Sequence, residues 1–297
     1  MAGTPATVAL TAAGVAFTPH EYAHDPANTS FGTEAAEVLG VEPERVSAVP
    51  NGVDIEHFRP RALSPGERRA RFRRWLVDDP QGWDSSGVPG SVRYGEPDLD
   101  RLDGDATVLV FVGRFTSAKR VPVLVRAFAR ARARSARPGS LLIWGGHPGE
   151  WEDEHPVDAA REVGEEGIYF AGWRGHDELP DGLAACDVLV MPSVNDSYPQ
   201  TPLEAMAAGL PVLATLSGGF PSMVNLDPAR PTGWLVPPDD VRVLADALVD
   251  VLDHAGEVTR RGAHALEHAR RDLSWNGLVP RFEEGYARAA EHAARRR

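Results

Sequence analysis

From residue 106 onward, short β-branched and apolar runs alternate with stretches of helical periodicity, and this alternation constrains the fold of the chain more than any other feature. Six runs read as strands, at 107–112, 141–144, 168–171, 188–191, 212–214 and 234–236. Between the first two, Val121, Leu124, Val125 and Phe128 stand at i, i+3, i+4 and i+7, which places one apolar stripe along a helix. Val241, Leu244, Leu248 and Val251 repeat the device after Asp239 and Asp240, acids suited to a helix N-terminus. Strands that alternate with helices pair in parallel through crossovers, so the expected fold is α/β, a Rossmann-like parallel sheet with helices on both faces. Sheets of this kind take ligands beyond the carboxyl ends of their strands. The loops to inspect therefore follow Val112, Trp144, Ala171, Met191 and Ala214.

The flanks differ in character. The expected division is a small N-terminal αβ appendage at 1–46, a hinge with a basic helix and loop at 47–105, the Rossmann-like domain at 106–275 and a C-terminal helix at 276–297. Within the appendage, 4–13 and 33–39 read as helical and 17–22 as extended. At 67–75 basic residues surround Phe72, Trp75 and Leu76 as on a solvated helix, with contact to a membrane surface as the alternative. The Gly/Pro/Ser/Asp-rich run at 80–105 reads as loop. A formal net charge of -12 repels phosphate backbones and anionic lipid, so no nucleic-acid partner is expected and any anionic ligand needs a local basic site. Cys186 is the only cysteine and excludes an intramolecular disulfide; its apolar surroundings point to a buried small hydrophobe. No run approaches the ~20 apolar residues that span a bilayer, and no basic residue precedes the apolar stretch at 8–17, so a cytoplasmic location without a transmembrane segment is expected.

The first strand runs into Gly113-Arg114-Phe115-Thr116-Ser117-Ala118-Lys119-Arg120. Gly113 permits close approach of the backbone to a ligand, and Arg114 and Lys119 are placed to enter the cleft, Lys119 at the start of the following helix. Two cations beside a helix N-terminus suit a diphosphate, although ordinary surface charges on the loop explain them as well. The loop lacks the glycine spacing and the Lys-Ser/Thr pair of a Walker A sequence. After Met191, a loop leads into a short helix stopped by Gly209 and sets Asp196 and Glu204 on either side of the helix start. Thr201, Pro202 and Glu204 also spell a capping box, so a purely structural role competes for Glu204. Ser217-Gly218-Gly219 is a turn whose amides have a ligand within possible reach. His147 and His155 flank Glu150, Glu152 and Glu154 without a recognised ligand spacing, so a solvated acidic loop and no metal site are expected there.

Taken in order, Pro50-Asn51-Gly52-Val53-Asp54 with Phe58, the Gly113 to Arg120 loop, Asp187 to Ser193 and Leu203 to Val212 resemble the retaining family 4 glycosyltransferases of GT-B type, over about residues 50–286. The resemblance implies that the sheet is one half of a GT-B fold and binds a nucleotide-diphosphate sugar as donor substrate. Arg114 and Lys119 would hold the diphosphate and stabilise its charge as the glycosidic bond breaks. Glu204 matches the second carboxylate of the family's E-x7-E motif and would accept the ribose hydroxyls, while Asp196 stands where the first glutamate belongs, one methylene short. Tyr198 matches the motif's aromatic, whereas Pro199 replaces a glycine and offers no N–H, which leaves the amides of Gln200 and Thr201. Gly172 and Trp173 would lie near the base. The resemblance implies no metal and no cofactor.

A complete enzyme of this type carries an acceptor-binding domain of ~150 residues before the segment matched here. The expected readings are thus a glycosyltransferase, or a non-catalytic or split-enzyme module that works with a separate acceptor-binding chain. Residues 4–46, from Thr4-Pro5-Ala6 through His20-Glu21-Tyr22 and Glu34-Ala35-Ala36 to Val46, resemble instead the start of a Cys-tRNA(Pro)-type editing deacylase. That family's functional lysine would fall at about position 48, where this chain has Ala48, so a deacylase-derived remnant without activity is implied.

Overall fold

The computed structural model describes residues 5–23, 31–41, 50–104 and 106–295. It comprises two compact units, 49–287 and a smaller one formed by 1–48 with 288–297. In the smaller unit, α1 (Pro5–Ala12) and α2 (Phe31–Val38) are two-turn helices. The stretch expected to be extended at 17–22 forms no strand, so the described residues of the appendage hold helices and no strand. Thr4, His24, Asp25, Pro26, the segment 42–46 and Ala48 lie outside the described residues.

The larger unit opens with α3 (Pro65–Arg73), started by a reciprocal capping box between Ser64 and Glu67 and continued by a five-residue π turn at Arg74–Asp78. Phe72, Trp75 and Leu76 are not set among solvated charges, as the sequence suggested, but are at most 1% exposed. The ring of Trp75 meets that of Trp144 edge-on, with centroids 4.9 Å apart. The apolar face of this basic helix is consumed by the fold and is not available to a membrane surface. A short α4 (Glu96–Leu99) follows.

Six parallel strands come next: β1 (Thr107–Gly113), β2 (Gly139–Gly145), β3 (Ile168–Gly172), β4 (Val188–Met191), β5 (Val212–Thr215) and β6 (Gly233–Val236). They align in the order β3-β2-β1-β4-β5-β6. The connecting helices are α5 (Val121–Arg132), α6 (Pro156–Val163), α7 (Leu179–Ala184), α8 (Gln200–Ala207) and α9 (Phe220–Met223), followed by α10 (Val241–Asp253), α11 (Ala255–His268) and α12 (Trp275–Arg295). The stripe expected on α5 is buried in full, Val121, Leu124, Val125 and Phe128 each being at most 1% exposed. Asp240 caps α10 by accepting from the amides of Arg242 and Val243 at 2.9 and 3.0 Å. The chain runs outward from β1 in one direction and then the other, and the right-handed crossover rule for parallel strands then puts helices on both faces. The order reverses between β1 and β4, and the crevice for a ligand lies beyond their carboxyl ends.

The run expected to be loop at 80–105 covers the ends of β2 and β3. Trp83, 1% exposed, donates its indole N–H to the Gly146 carbonyl at 2.8 Å, and Gln81 bridges Gly172. Burying one indole, roughly 200 Å², is enough to anchor a segment otherwise poor in apolar residues. Gly172 has φ +74° and a Cβ there would meet the Gln81 carbonyl oxygen at 2.0 Å, so only glycine fits. At the opposite edge, Arg261 donates to the Gly233 carbonyl of β6 and lies over the Trp234 ring at 4.3 Å. Cys186 is buried, and burial raises its thiol pKa, as fits a small core hydrophobe.

Candidate functional site

β1 delivers Gly113 and Arg114 to the crevice. Arg114 is exposed and makes no hydrogen bond or ion pair among the described residues. Ser117–Lys119 form a single 3-10 turn, and α5 begins only at Val121. Lys119 therefore precedes the helix rather than opening it. Arg120 is the reason: its φ of 51° is left-handed, held by its guanidinium on both Asp239 carboxylate oxygens (2.6 and 3.1 Å) and on the Ser117 carbonyl (3.0 Å). The Lys119 ammonium forms an ion pair with Asp196, the two side chains being 18% and 17% exposed. Two residues predicted from different loops thus meet each other, and Asp196 neutralises the cation.

The loop after β4 is stitched to its neighbours through backbone. Val194 N–H donates to the Ala118 carbonyl at 2.9 Å, and Gly219 N–H donates to the Asp196 carbonyl at 2.8 Å. Gly218, at φ +55°, would put a Cβ 2.1 Å from that same carbonyl oxygen. The amide of Gly219 is thus spent on packing one loop against another instead of facing a ligand. α8 starts at Gln200 with Pro199 at its N-cap and no side-chain cap, so the capping box spelled by Thr201 and Glu204 does not form. The amides of Gln200 and Thr201 sit in the first turn, where intrahelical acceptors are missing. The Gln200 side chain donates to the Gly52 carbonyl at 2.8 Å and ties α8 to the segment 51–58; Tyr198 is half-buried beside it in sequence.

Glu204 is 4% exposed in α8, with Oε1 3.2 Å from Nε2 of His176. Burial raises its carboxyl pKa, and the contact with His176 opposes that rise in part. The sign of the linkage follows. The folded state is favoured while the group is neutral, below its ordinary 4.5, and that advantage is lost as pH rises through the raised value. Glu204→Gln is expected to raise stability at neutral pH by about 1 kcal/mol, a gain that fades below about pH 4. Thermal unfolding at both pH values checks it. A Gln variant less stable than the parent at neutral pH would contradict the carboxylate's burial cost.

His57 and His176 were not singled out from the sequence, though His176 lies in a loop that the strand rule marks for inspection. It follows β3 on the 3-10 turn His176–Glu178. The two imidazoles stack with centroids 5.7 Å apart and an interplanar angle of 8°. Asp54 fixes the loop of His57 by accepting from the amides of Glu56 and His57 at 2.9 and 3.0 Å, which holds its carboxyl below the usual value. Of the turn after β3, Trp173 is 51% exposed beside His147, with ring centroids 5.7 Å apart, whereas Gly172 is locked against Gln81. Arg174 turns inward. His155 is not part of a solvated loop: it is 2% exposed among Trp83, Phe115 and Trp151, burial lowers its pKa, and its Nδ1 accepts from the Val157 amide to start α6. The crevice offers an exposed cation, a paired cation, free helix-start amides and a buried carboxylate, a set suited to a ligand that is anionic at one end and hydroxylated at the other.

Residues 106–254 match the family described as glycosyl transferases group 1. The chain is 31% identical over 274 residues to the D-inositol 3-phosphate glycosyltransferase of Stackebrandtia nassauensis, a match that covers 90% of this chain and 54% of the relative. It thus spans about half the length of the curated relatives it matches. Among solved structures, the sucrose-phosphate synthase of Thermosynechococcus elongatus superposes with a TM-score of 0.61 at 23% identity, covering 89% of this chain and 58% of the other. Anabaena HepE in complex with UDP superposes with a TM-score of 0.62 at 18% identity, covering 87% and 62%. At these identities the structural likeness speaks for the fold.

Proposed function

We propose, for a chain that belongs to the glycosyl transferases group 1 family, that its sheet binds a nucleotide-diphosphate sugar and that the sugar passes to an acceptor with retention, as in family 4. The observation that carries this reading is the ion pair across the switch point, Lys119 from the β1 loop with Asp196 from the loop after β4, together with the buried Glu204 on the α8 that this loop enters. Arg114, Lys119 and the amides of Gln200 and Thr201 take the diphosphate, and the cations stabilise the charge that grows on it as the glycosidic bond breaks. Gly113 lets the β1 loop approach the phosphates. Glu204 accepts the ribose hydroxyls, Tyr198 and Asp196 face the sugar, and Gly172 with Trp173 borders the base.

Isothermal titration of the chain with UDP, GDP and ADP and their sugars tests the reading. Saturable binding of one nucleotide family supports it, and binding of none at millimolar concentration would sink it. A second reading, a module that turns over only with a separate acceptor-binding chain, draws on the 54% coverage of the relative. Donor binding without transfer to D-inositol 3-phosphate or another acceptor, restored by a second chain, favours that module; turnover by this chain alone excludes it.

No described helix is long and apolar enough to cross a membrane. A cytoplasmic site of action, with the inner membrane face as a second location, belongs to this proposal and is checked by cell fractionation. For residues 4–46 the deacylase likeness supports an inactive remnant, and hydrolysis of mischarged tRNA by the chain would overturn it.

A further inference from the structure

We propose that His57, His176 and Asp177 form a binding site for one divalent transition-metal ion of the zinc, nickel or cobalt kind. These three residues each offer one ligand atom, and the atoms lie within 4.8 Å of one another; no other such group occurs among the described residues. Two imidazoles and one carboxylate select borderline-soft ions over magnesium or calcium, which prefer an all-oxygen shell. The inference does not rest on the nucleotide-sugar reading, and either can fail without the other.

Three features of the surroundings support a built site. The His176 ring is held by Phe58, edge-on with centroids 5.3 Å apart, and by the stack on His57. Its Nε2 stands 3.2 Å from the buried Glu204 carboxylate. A proton on Nε2 directed at that carboxylate leaves the Nδ1 lone pair for a metal, the carboxylate–histidine–metal relay that fixes tautomer and raises ligand basicity. His57 Nε2 is shut off from solvent and has no hydrogen-bond partner among the described residues. A buried ring nitrogen without a partner is a group that a metal bond satisfies.

Ligand atoms around a tetrahedral zinc lie roughly 3.4 Å apart, given metal–nitrogen bonds of about 2.0–2.1 Å, so the cluster, whose atoms lie within 4.8 Å, must contract by up to about 1.4 Å. His176, with a side chain 63% exposed, and the exposed Asp177 sit on one short turn and are free to make that adjustment. A fourth position remains for water or for a ligand oxygen.

The test uses the full chain, without a histidine tag and stripped with chelator, titrated with Zn²⁺ by calorimetry and with Co²⁺ by visible absorption. One ion per chain is expected, with tetrahedral cobalt bands. His176→Ala and Asp177→Ala, both at exposed positions, should each weaken binding at least about tenfold. His57→Ala should do the same, with thermal unfolding as its control for folding. His147→Ala, whose imidazole lies 3.8 Å from Glu150 outside the cluster, should leave binding unchanged. Absence of saturable binding below about 1 mM, or binding unaltered in His176→Ala and Asp177→Ala, overturns the proposal.

Discussion

Replacement of Arg114 and Lys119 together by alanine is expected to weaken nucleoside-diphosphate binding about 100- to 10,000-fold. Each charge-assisted contact to phosphate contributes about 1.5–3 kcal/mol, and about 1.4 kcal/mol is a factor of ten. The two residues should not contribute equally. Arg114 has no partner to lose, so its removal subtracts one contact. Lys119→Ala in addition strips Asp196 of its counter-charge and leaves a bare carboxylate facing an anionic ligand. Asp196→Asn is therefore expected to act in the opposite direction, tightening diphosphate binding several-fold by releasing Lys119, even as the sugar end of the site loses an acceptor. Calorimetric titration with UDP, GDP and ADP on the parent and the four variants, Arg114→Ala, Lys119→Ala, their double and Asp196→Asn, resolves the signs. A double variant within threefold of the parent would remove these cations from the site, and weaker diphosphate binding in Asp196→Asn would mean that the pair positions the lysine instead of masking it.

The second large effect concerns stability. The Arg174 side chain is 2% exposed, donates to the carbonyls of Ala171 (3.2 Å), Trp75 (3.1 Å) and Asp79 (2.5 Å), and pairs with Asp79 at 3.2 Å and Glu178 at 3.7 Å. Burial lowers its pKa and the two acids oppose that shift. A buried ion pair adds little over a well-packed apolar substitute, but removing one member leaves its partners unsatisfied. Here those partners include backbone carbonyls at the π turn and the end of β3, which no leucine can serve. Arg174→Leu is expected to cost about 3–5 kcal/mol, a fall of roughly 10 °C in melting temperature for a unit of this size. Asp79→Asn, at a side chain 55% exposed, should cost under about 1 kcal/mol. Equal, small losses in both would show that the buried guanidinium is dispensable.

The parallel sheet was legible because its strands are buried on both faces and carry unbroken apolar runs, and because α5 and α10 expose their period of 3.6 so plainly. The ends of these elements were displaced by a residue or two where glycine extends a strand, as at Gly139 and Gly145 of β2. Less legible was anything settled by one long-range contact. Trp83 looked like a loop residue until its indole met Gly146, and the charges of α3 hid an apolar face that only the sheet edge explains. At the candidate site, periodicity and loop position identified Lys119, Asp196 and Glu204 one by one. Nothing local announced that Lys119 would face Asp196, or that Glu204 would face His176 rather than cap its own helix, since each partner comes from another strand's loop. His57 escaped notice for the same reason: a lone histidine in a turn acquires meaning only when His176 is stacked on it.

The covers on the outer strands bear on how this chain can associate. Gln81 occupies the end of β3 at Gly172, and Arg261 occupies the Gly233 carbonyl of β6. A sheet whose borders are locally plugged resists lengthening by strand addition, which is the usual route to edge-to-edge aggregation. Self-association of this chain, or recruitment of another, is then channelled toward helices and strand-end loops, and crowding at high concentration should favour discrete complexes over fibrils.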